Sequence, residues 1–244
     1  MFPISDDNPS HIRPIVTWSL IAACVLAFLW QVSLSSEAGE AAVYRLGMIP
    51  ARLFGFRELS AELAATPAWA TVFTSMFMHG GWMHLGGNML FLWIFGDNVE
   101  DSMGHVRFAA FYLLCGAVAA LTQAFLNTNS LIPMIGASGA ISGVLGAYLL
   151  LHPRATVRVV IFLGIIFWIA HIPAMFVLGI WFISQLVNAA ATPADVPGVA
   201  FWAHVGGFVA GMALVGLFKD KYVQLWQAAR SKPFELERRR GPWG

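Results

Sequence analysis

Long apolar stretches separated by short polar segments dominate the pattern along this chain. Six of them predict membrane-spanning helices, at residues 14–32, 82–103, 106–126, 136–151, 173–191 and 201–218. These stretches approach or reach the ~20 residues that cross a ~30 Å hydrocarbon layer. A seventh apolar segment, residues 157–170, is shorter, and by length alone it is either another span or a segment in the membrane interface.

The basic residues decide between six and seven spans. With six spans, most of them share one side of the membrane: Arg13, Arg107, Arg154, Arg158, Lys219, Lys221, Arg230, Lys232 and Arg238–Arg240. Only Arg45, Arg52 and Arg57 then face the other side. Because cytoplasmic loops carry the excess of Lys and Arg, this asymmetry favours six spans with both termini in the cytoplasm.

The predicted fold class is an all-α membrane protein, a bundle of six transmembrane helices. Residues 1–218 would form the six-span unit, and residues 219–244 a charged cytoplasmic tail. The first outer loop, residues 33–81, is long, and its "YRLGMIPARLFGF" stretch is amphipathic, so we expect it to lie partly in the membrane. The fourth span is short, ~24 Å at 1.5 Å per residue, which would leave its start below the outer membrane surface.

Composition supports the membrane assignment and limits the partners. The chain of 244 residues is 58% hydrophobic and 11% charged, whereas soluble domains are nearer a quarter charged. A net charge of +1 leaves no basic face for nucleic acid. The N-terminal apolar run is too long for a cleaved signal peptide, and the plasma (inner) membrane is the expected location. The oligomeric state is not predictable from these features.

Three polar sites interrupt the predicted spans, where ionisable and amide side chains are costly and indicate function. They are His84 and Asn88 in "FMHGGWMHLGGNMLF", Ser138 in "MIGASGAISG", and His204 in "FWAHVGGFVAGMA". The second, fourth and sixth spans all run from outside to inside. The three sites therefore fall at a similar depth, near the outer ends of their spans.

These residue types suit nucleophilic catalysis. A serine hydroxyl needs a base to take its proton, and a neutral imidazole does so near neutral pH. His204 is the matching base for Ser138 if the fourth and sixth helices touch, and the glycines of both helices allow a close approach. The acids of the second span lie ~20 Å deeper. We therefore predict a Ser–His dyad, with the imidazole oriented by packing.

Donors for a developing oxyanion are also predicted beside the serine. Ser138 begins a helix, where backbone N–H groups have no partner within the helix. His84 and Asn88 are four residues apart, so they share one helical face and can point at the same oxygen. His79 precedes His84 by five residues and faces elsewhere, so a structural role is expected for it.

Two other classes of function, metal-dependent catalysis and transport, fit the sequence less well. The histidines lack the His-Glu-x-x-His spacing of zinc proteases, so neither a metal nor another cofactor is expected. In a transporter, the same polar side chains would line a substrate path. That hypothesis predicts Pro- or Gly-broken helices paired in two halves, a pattern that this sequence lacks.

Taken together, "HGGWMHLGGN", "GASGA" and "AHVGGFVAG" resemble the rhomboid intramembrane serine proteases, over nearly the whole chain. The resemblance implies a six-helix fold with a short, central fourth helix. It also implies that Ser138 is the nucleophile and His204 the base. The oxyanion hole would be formed by His84, Asn88 and the backbone amide of Ser138.

The resemblance extends to supporting residues. Gly136 and Gly139 match the glycines around the nucleophile, and Gly207 and Gly211 match those that pack the last helix. Glu100 matches a structural acid at the base of the second helix.

Two positions depart from the family pattern. Ala70-Thr71 stands where many members carry a Trp-Arg pair in the first outer loop, so that loop would be held differently. Ser142 stands where some members have a tyrosine that packs under the catalytic histidine.

The implied activity is an endopeptidase that cleaves single-span membrane proteins in the lipid bilayer through an acyl-enzyme. The alternative within the same fold is an inactive rhomboid-like protein that binds membrane helices.

Overall fold

The computed structural model describes residues 2–163, 166–193, 196 and 198–228, which are mostly helical. The helices are α1 (Ile15–Ser33), α2 (Ser36–Leu46), α3 (Pro50–Leu53), α4 (Ala68–Thr74), α5 (Trp82–Met103), α6 (His105–Leu126), α7 (Ser138–Leu151), α8 (Ala174–Ala191) and α9 (Phe201–Phe218). A 3₁₀ turn, Ser75–Phe77, follows α4. The strands are β1 (Phe2–Asp6), β2 (Thr156–Leu163) and β3 (Ile166–Pro173).

Helices occupy all six apolar stretches, with ends within two residues of those predicted. Four of these helices, α1, α6, α8 and α9, are long and apolar enough to cross a membrane. The other two are α5, which carries three carboxylates near its C-terminal end, and α7, which has only 14 residues. The chain is therefore an integral, multi-pass membrane protein.

The short helix α7 lies at the centre of the bundle. It contacts α5, α6, α8 and α9, and its residues from Gly139 to Tyr148 are all buried. A helix surrounded on all sides needs no polar face, which explains why its sequence is apolar all round. The start of this helix is therefore held rigidly by its neighbours.

Glycines bring α7 and α9 into backbone contact. A Cβ atom on Gly207 would press against the carbonyl oxygen of Gly139, and one on Gly211 against that of Gly143. On α7, a Cβ on Gly146 would press equally closely on the carbonyl oxygen of Phe208. Such close approach is typical of small residues at intramembrane helix contacts.

The long outer loop folds into short helices that pack on the bundle. Met48 is fully buried, and its backbone pairs with that of Met134 in the loop before α7. At the departure from the family pattern, Thr71 is buried and its hydroxyl donates to the Ala68 carbonyl. The Arg52 guanidinium donates to the carbonyls of Ala64 and Thr66, just before α4, so an arginine elsewhere in the loop provides an anchor.

The expectation of an all-α chain is wrong for residues 157–170. Residues 157–163 lie in β2 and residues 166–170 in β3; these two strands pair antiparallel, and β1 joins the β2 edge to make a three-stranded sheet. Val157 and Val159 are buried while Arg158 between them is exposed, which is the period of two of a strand. Their β-branched side chains also favour strands, although length and hydropathy alone pointed only to a membrane segment.

Buried acids join α5 to the N-terminal segment, at the end of the bundle where α7 finishes. The Glu100 carboxylate accepts hydrogen bonds from the backbone N–H groups of Val16 and Thr17, at 2.9 and 2.8 Å, and from the Thr17 hydroxyl at 2.7 Å. These N–H groups belong to the first turn of α1 and have no partner within that helix. Glu100 therefore caps α1 and contacts His105 at 2.6 Å.

The first part of the predicted tail packs against the bundle. The N–H groups of Trp226 and Gln227 donate to the carbonyls of Leu150 and Leu151, at the end of α7. Val223 is buried as well. The rest of the tail, residues 229–244, lies outside the described residues.

The α7–α9 contact predicts that alanine substitutions at two glycines of α9 have different effects on stability. Gly211→Ala is expected to lower the stability of the detergent-solubilised protein by about 1–3 kcal/mol, because the methyl group would force the backbones apart. Gly216→Ala is the matched control, since a Cβ there meets open space. Thermal unfolding measures both, and equal midpoints would contradict the packing argument.

The burial of the Asp6 carboxyl predicts that the free energy of unfolding depends on pH. Tyr148 Oη donates to its Oδ2 at 2.5 Å, and desolvation on burial raises the pKa of Asp6 to about 7. The folded pKa lies above the unfolded value, so the fold is more stable when Asp6 is protonated than when it is ionised. This stabilisation is complete below about pH 4 and is lost as the pH rises to about 7.

Asp6→Asn removes this titration. The unfolding midpoint of the wild-type chain, relative to that of Asp6→Asn, should therefore fall between pH 4 and 7 and then level off. Midpoints that run parallel over this range would refute the assignment.

Candidate active site

A cavity of about 630 Å³ lies among α5, α6, α7 and α9 and the outer loops. The side chains of His84, Asn88, Ser138 and His204 all line it. The three polar sites predicted to converge at one depth are therefore brought to a single cavity. Its remaining wall is mainly apolar or glycine, including Met76, so the few polar groups define its chemistry.

Ser138 and His204 are in hydrogen-bond contact. The distance between Ser138 Oγ and His204 Nε2 is 2.8 Å. Ser138 is the first residue of α7 and His204 lies in the first turn of α9, so the glycine contact between these helices sets their separation. A hydroxyl that donates to an imidazole nitrogen at this distance can transfer its proton when it attacks.

His204 has a second hydrogen-bond partner that the sequence analysis missed. Its Nδ1 lies 2.8 Å from Oε1 of Gln185, a buried residue of α8. The available signal was an amide within an apolar span, the same criterion that singled out Asn88. The imidazole is thus oriented by a hydrogen bond as well as by packing. The rings of Trp181 and Phe201 pack beside it, with centroids 5.9 and 6.2 Å away.

His84 directs one ring nitrogen into the cavity. Its Nδ1 accepts the N–H of Gly80 at 3.3 Å, so the neutral ring carries its proton on Nε2. A Cβ on Gly136 would lie 2.8 Å from this Nε2 and 3.7 Å from Ser138 Oγ. The space between the donor and the serine therefore exists only because residue 136 is glycine, whose φ of +129° also disfavours other residues.

Asn88 supplies a second donor to the same cavity. Its side chain is buried, and Nδ2 has no hydrogen-bond partner among the described residues. Buried polar groups are nearly always paired, so an unpaired amide donor in a cavity is suited to an incoming acceptor. The backbone N–H of Ser138, the first residue of α7, also has no partner within that helix. These donors and the serine thus belong to the same cavity.

The other predicted residues lie around the cavity or away from it. His79 packs behind His84, at 5.2 Å between ring centroids, and its backbone exchanges two hydrogen bonds with the Gln31 amide. Glu100 lies in the last turn of α5, whereas His84 lies in the first. At the second departure from the family pattern, the Ser142 hydroxyl donates to the Ser138 carbonyl at 2.6 Å.

No three of the His, Cys, Asp and Glu side chains in the described ranges form a group that could hold a metal ion.

Comparison with known proteins identifies the family. A model of the rhomboid domain matches residues 66–221. Rhomboid-like protein 11, chloroplastic, of Arabidopsis thaliana is 28% identical over 161 residues, covering 62% of this chain and 53% of the relative. Rhomboid protein 1, mitochondrial, of Saccharomyces cerevisiae is 30% identical over 161 residues, covering 63% and 43%.

A bacterial relative, rhomboid protease GluP of Bacillus subtilis, is 34% identical over 138 residues, covering 56% of this chain and 24% of the relative. The chain thus spans about half or less of the length of these three relatives. The domain match extends over more than half of the chain and contains all the residues that line the cavity from α5, α6, α7 and α9. The chain belongs to the rhomboid family.

Proposed function

We propose that this chain is an intramembrane serine endopeptidase that cleaves membrane-anchored proteins within or beside their transmembrane segment. The observation that carries the proposal is the 2.8 Å contact between Ser138 Oγ and His204 Nε2, in a cavity that also holds the unpaired amide donor of Asn88. One of the relatives is named as a protease, which agrees with this chemistry. A protein that only binds membrane helices has no need of a base on its serine.

The first half of the reaction acylates the serine. Ser138 Oγ attacks the carbonyl carbon of the scissile peptide bond, and its proton passes to His204 Nε2. The carbonyl oxygen becomes an oxyanion in the tetrahedral intermediate. The C–N bond then breaks, and His204 gives the proton to the leaving amine.

The donors around the cavity would stabilise the oxyanion. His84 Nε2–H, Asn88 Nδ2–H and the Ser138 backbone N–H are the three candidates, and each would be in place before the reaction begins. Such preorganised donors act strongly in a site of low polarity, because no solvent needs to reorient. The glycine at position 136 keeps the approach open.

The second half of the reaction needs water. His204 takes a proton from a water molecule that attacks the acyl carbon, and the ester bond to Ser138 breaks with return of the proton to Oγ. The cavity is lined partly by outer-loop residues, such as Ile132 and Pro133, so water would reach the serine from the outer side.

The membrane arrangement that fits this reaction has six spans, with α5 and α7 crossing beside the four longer helices. Both termini would face the cytoplasm of a cell whose plasma membrane holds the protein. Substrates would be single-span proteins with small residues at the cleaved bond and a helix that unwinds easily there. A carbonyl inside a regular helix is shielded by its neighbours and its own hydrogen bond.

The proposal predicts that Ser138→Ala abolishes proteolysis without unfolding the protein. Cleavage of a single-span model substrate should fall by about four orders of magnitude or more. The unfolding midpoint should change little, since the hydroxyl lines a cavity. A fluorophosphonate should label the wild-type chain, and His204→Ala should lose this labelling because the base is gone.

Continued cleavage by Ser138→Ala would make the assignment wrong. A wild-type chain that neither cleaves nor reacts with the fluorophosphonate would instead favour the helix-binding alternative.

A second prediction concerns the space beside Gly136, between His84 and Ser138, that the oxyanion would occupy. Gly136→Ala should reduce fluorophosphonate labelling by about a hundredfold or more, because its methyl group would displace the His84 ring and occupy the oxyanion space. Gly86→Ala is the control, since a Cβ at that position on α5 meets open space. Equal labelling rates for the two variants would exclude an oxyanion site at this position.

A further inference from the structure

The hydrogen bond between Gln185 and His204 has a consequence for the tautomer of the imidazole. His204 must present an unprotonated Nε2 to accept the Ser138 proton, so the neutral ring must carry its own proton on Nδ1. Gln185 Oε1 lies 2.8 Å from that nitrogen and can only accept. The amide therefore selects the tautomer that is active as a base.

The orientation of the Gln185 amide is determined by its other contacts. Its Nε2 donates to Ser184 Oγ at 3.0 Å and to the Trp181 carbonyl at 3.3 Å. Ser184 Oγ uses its own proton on the Trp181 carbonyl, at 2.5 Å, so it is free to accept from Nε2. A flipped amide would set its oxygen against a carbonyl and its NH₂ group against the Nδ1–H of His204. The observed orientation avoids the contact between two acceptors at the Trp181 carbonyl, whichever nitrogen of His204 carries the proton.

We infer that Gln185 is a positioning residue, the third member of a Ser138–His204–Gln185 triad. This inference rests on the proposed protease function. Gln185 does not contact the reacting atoms; it acts by holding the tautomer and the ring plane of His204.

A neutral amide suits this position better than a carboxylate would. The side chain is buried within an apolar helix of the bundle, where an ionised acid is costly. Trp181 lies one turn before Gln185 on α8, and its ring packs beside the imidazole. One face of α8 therefore provides both the hydrogen bond and an aromatic wall for His204.

Two substitutions at position 185 separate this role from simple packing. Gln185→Met keeps the size of the side chain and removes the acceptor, and Gln185→Glu keeps an acceptor and adds charge. Asn188→Met is the matched control, because it makes a similar change on the exposed side of α8. Each variant is tested for unfolding midpoint, for the rate of fluorophosphonate labelling, and for kcat and KM on a single-span substrate from pH 5 to 9.

The triad predicts that Gln185→Met lowers kcat and the labelling rate by about ten- to a hundredfold, with KM nearly unchanged. Gln185→Glu should retain more activity than Gln185→Met. The acidic limb of the pH profile of kcat for Gln185→Glu should also move to higher pH, because a carboxylate stabilises the protonated imidazole. Asn188→Met should match the wild-type chain in all three measurements.

If Gln185 served only to pack α8 against its neighbours, Gln185→Met would be more active than Gln185→Glu. A methionine in an apolar helix would then support labelling at the wild-type rate, and this result would overturn the inference even if Gln185→Glu failed to fold. Equal pH profiles for folded Gln185→Glu and the wild-type chain would also contradict it. Failure of the proposed function itself is distinct, because it would appear as a wild-type chain that is not labelled at Ser138.

Discussion

The backbone contact between α7 and α9 is the constraint on which the rest of this structure depends. Glycines at facing positions let the two helices approach until a single methyl group would not fit between them. Ser138 and His204 lie in the first turns of these two helices, so the helix separation sets the 2.8 Å distance between their side chains. Close packing and candidate chemistry are thus consequences of the same residues.

Two buried carboxylates of α5 join that helix to the N-terminal segment through hydrogen bonds with backbone N–H groups. At one end, the Glu100 carboxylate satisfies free N–H groups of α1, and the Asp101 carboxylate does the same for His11 and Ile12. At the other end, Asn88 Nδ2 is left without a partner inside the cavity. This contrast separates the acids that hold the helices together from the amide that is available to a substrate. Stability and proposed catalysis therefore use opposite ends of α5.

Hydropathy was a good guide to the six helices and a poor one to residues 157–170. Five of the six helices have 18 residues or more, and the shorter α7 is apolar throughout, so their positions follow from local sequence. The strands β2 and β3 are equally apolar, but their pairing with each other and with β1 depends on hydrogen bonds to residues distant in the sequence. The alternation of Val157, Arg158 and Val159 carries a strand signal that total apolarity conceals.

By itself, the sequence determined which segments are helical and which residues are polar within them, and it predicted that Ser138, His204, His84 and Asn88 converge. These properties depend on residue type and helical period, which are local. Only the tertiary structure decided that Gln185 meets His204, that Gly80 sets the tautomer of His84, and that Arg52 anchors the outer loop. Each of these contacts depends on the rotation of a helix about its axis or the path of a loop. Such features arise from packing among all the segments at once, and no local pattern encodes them.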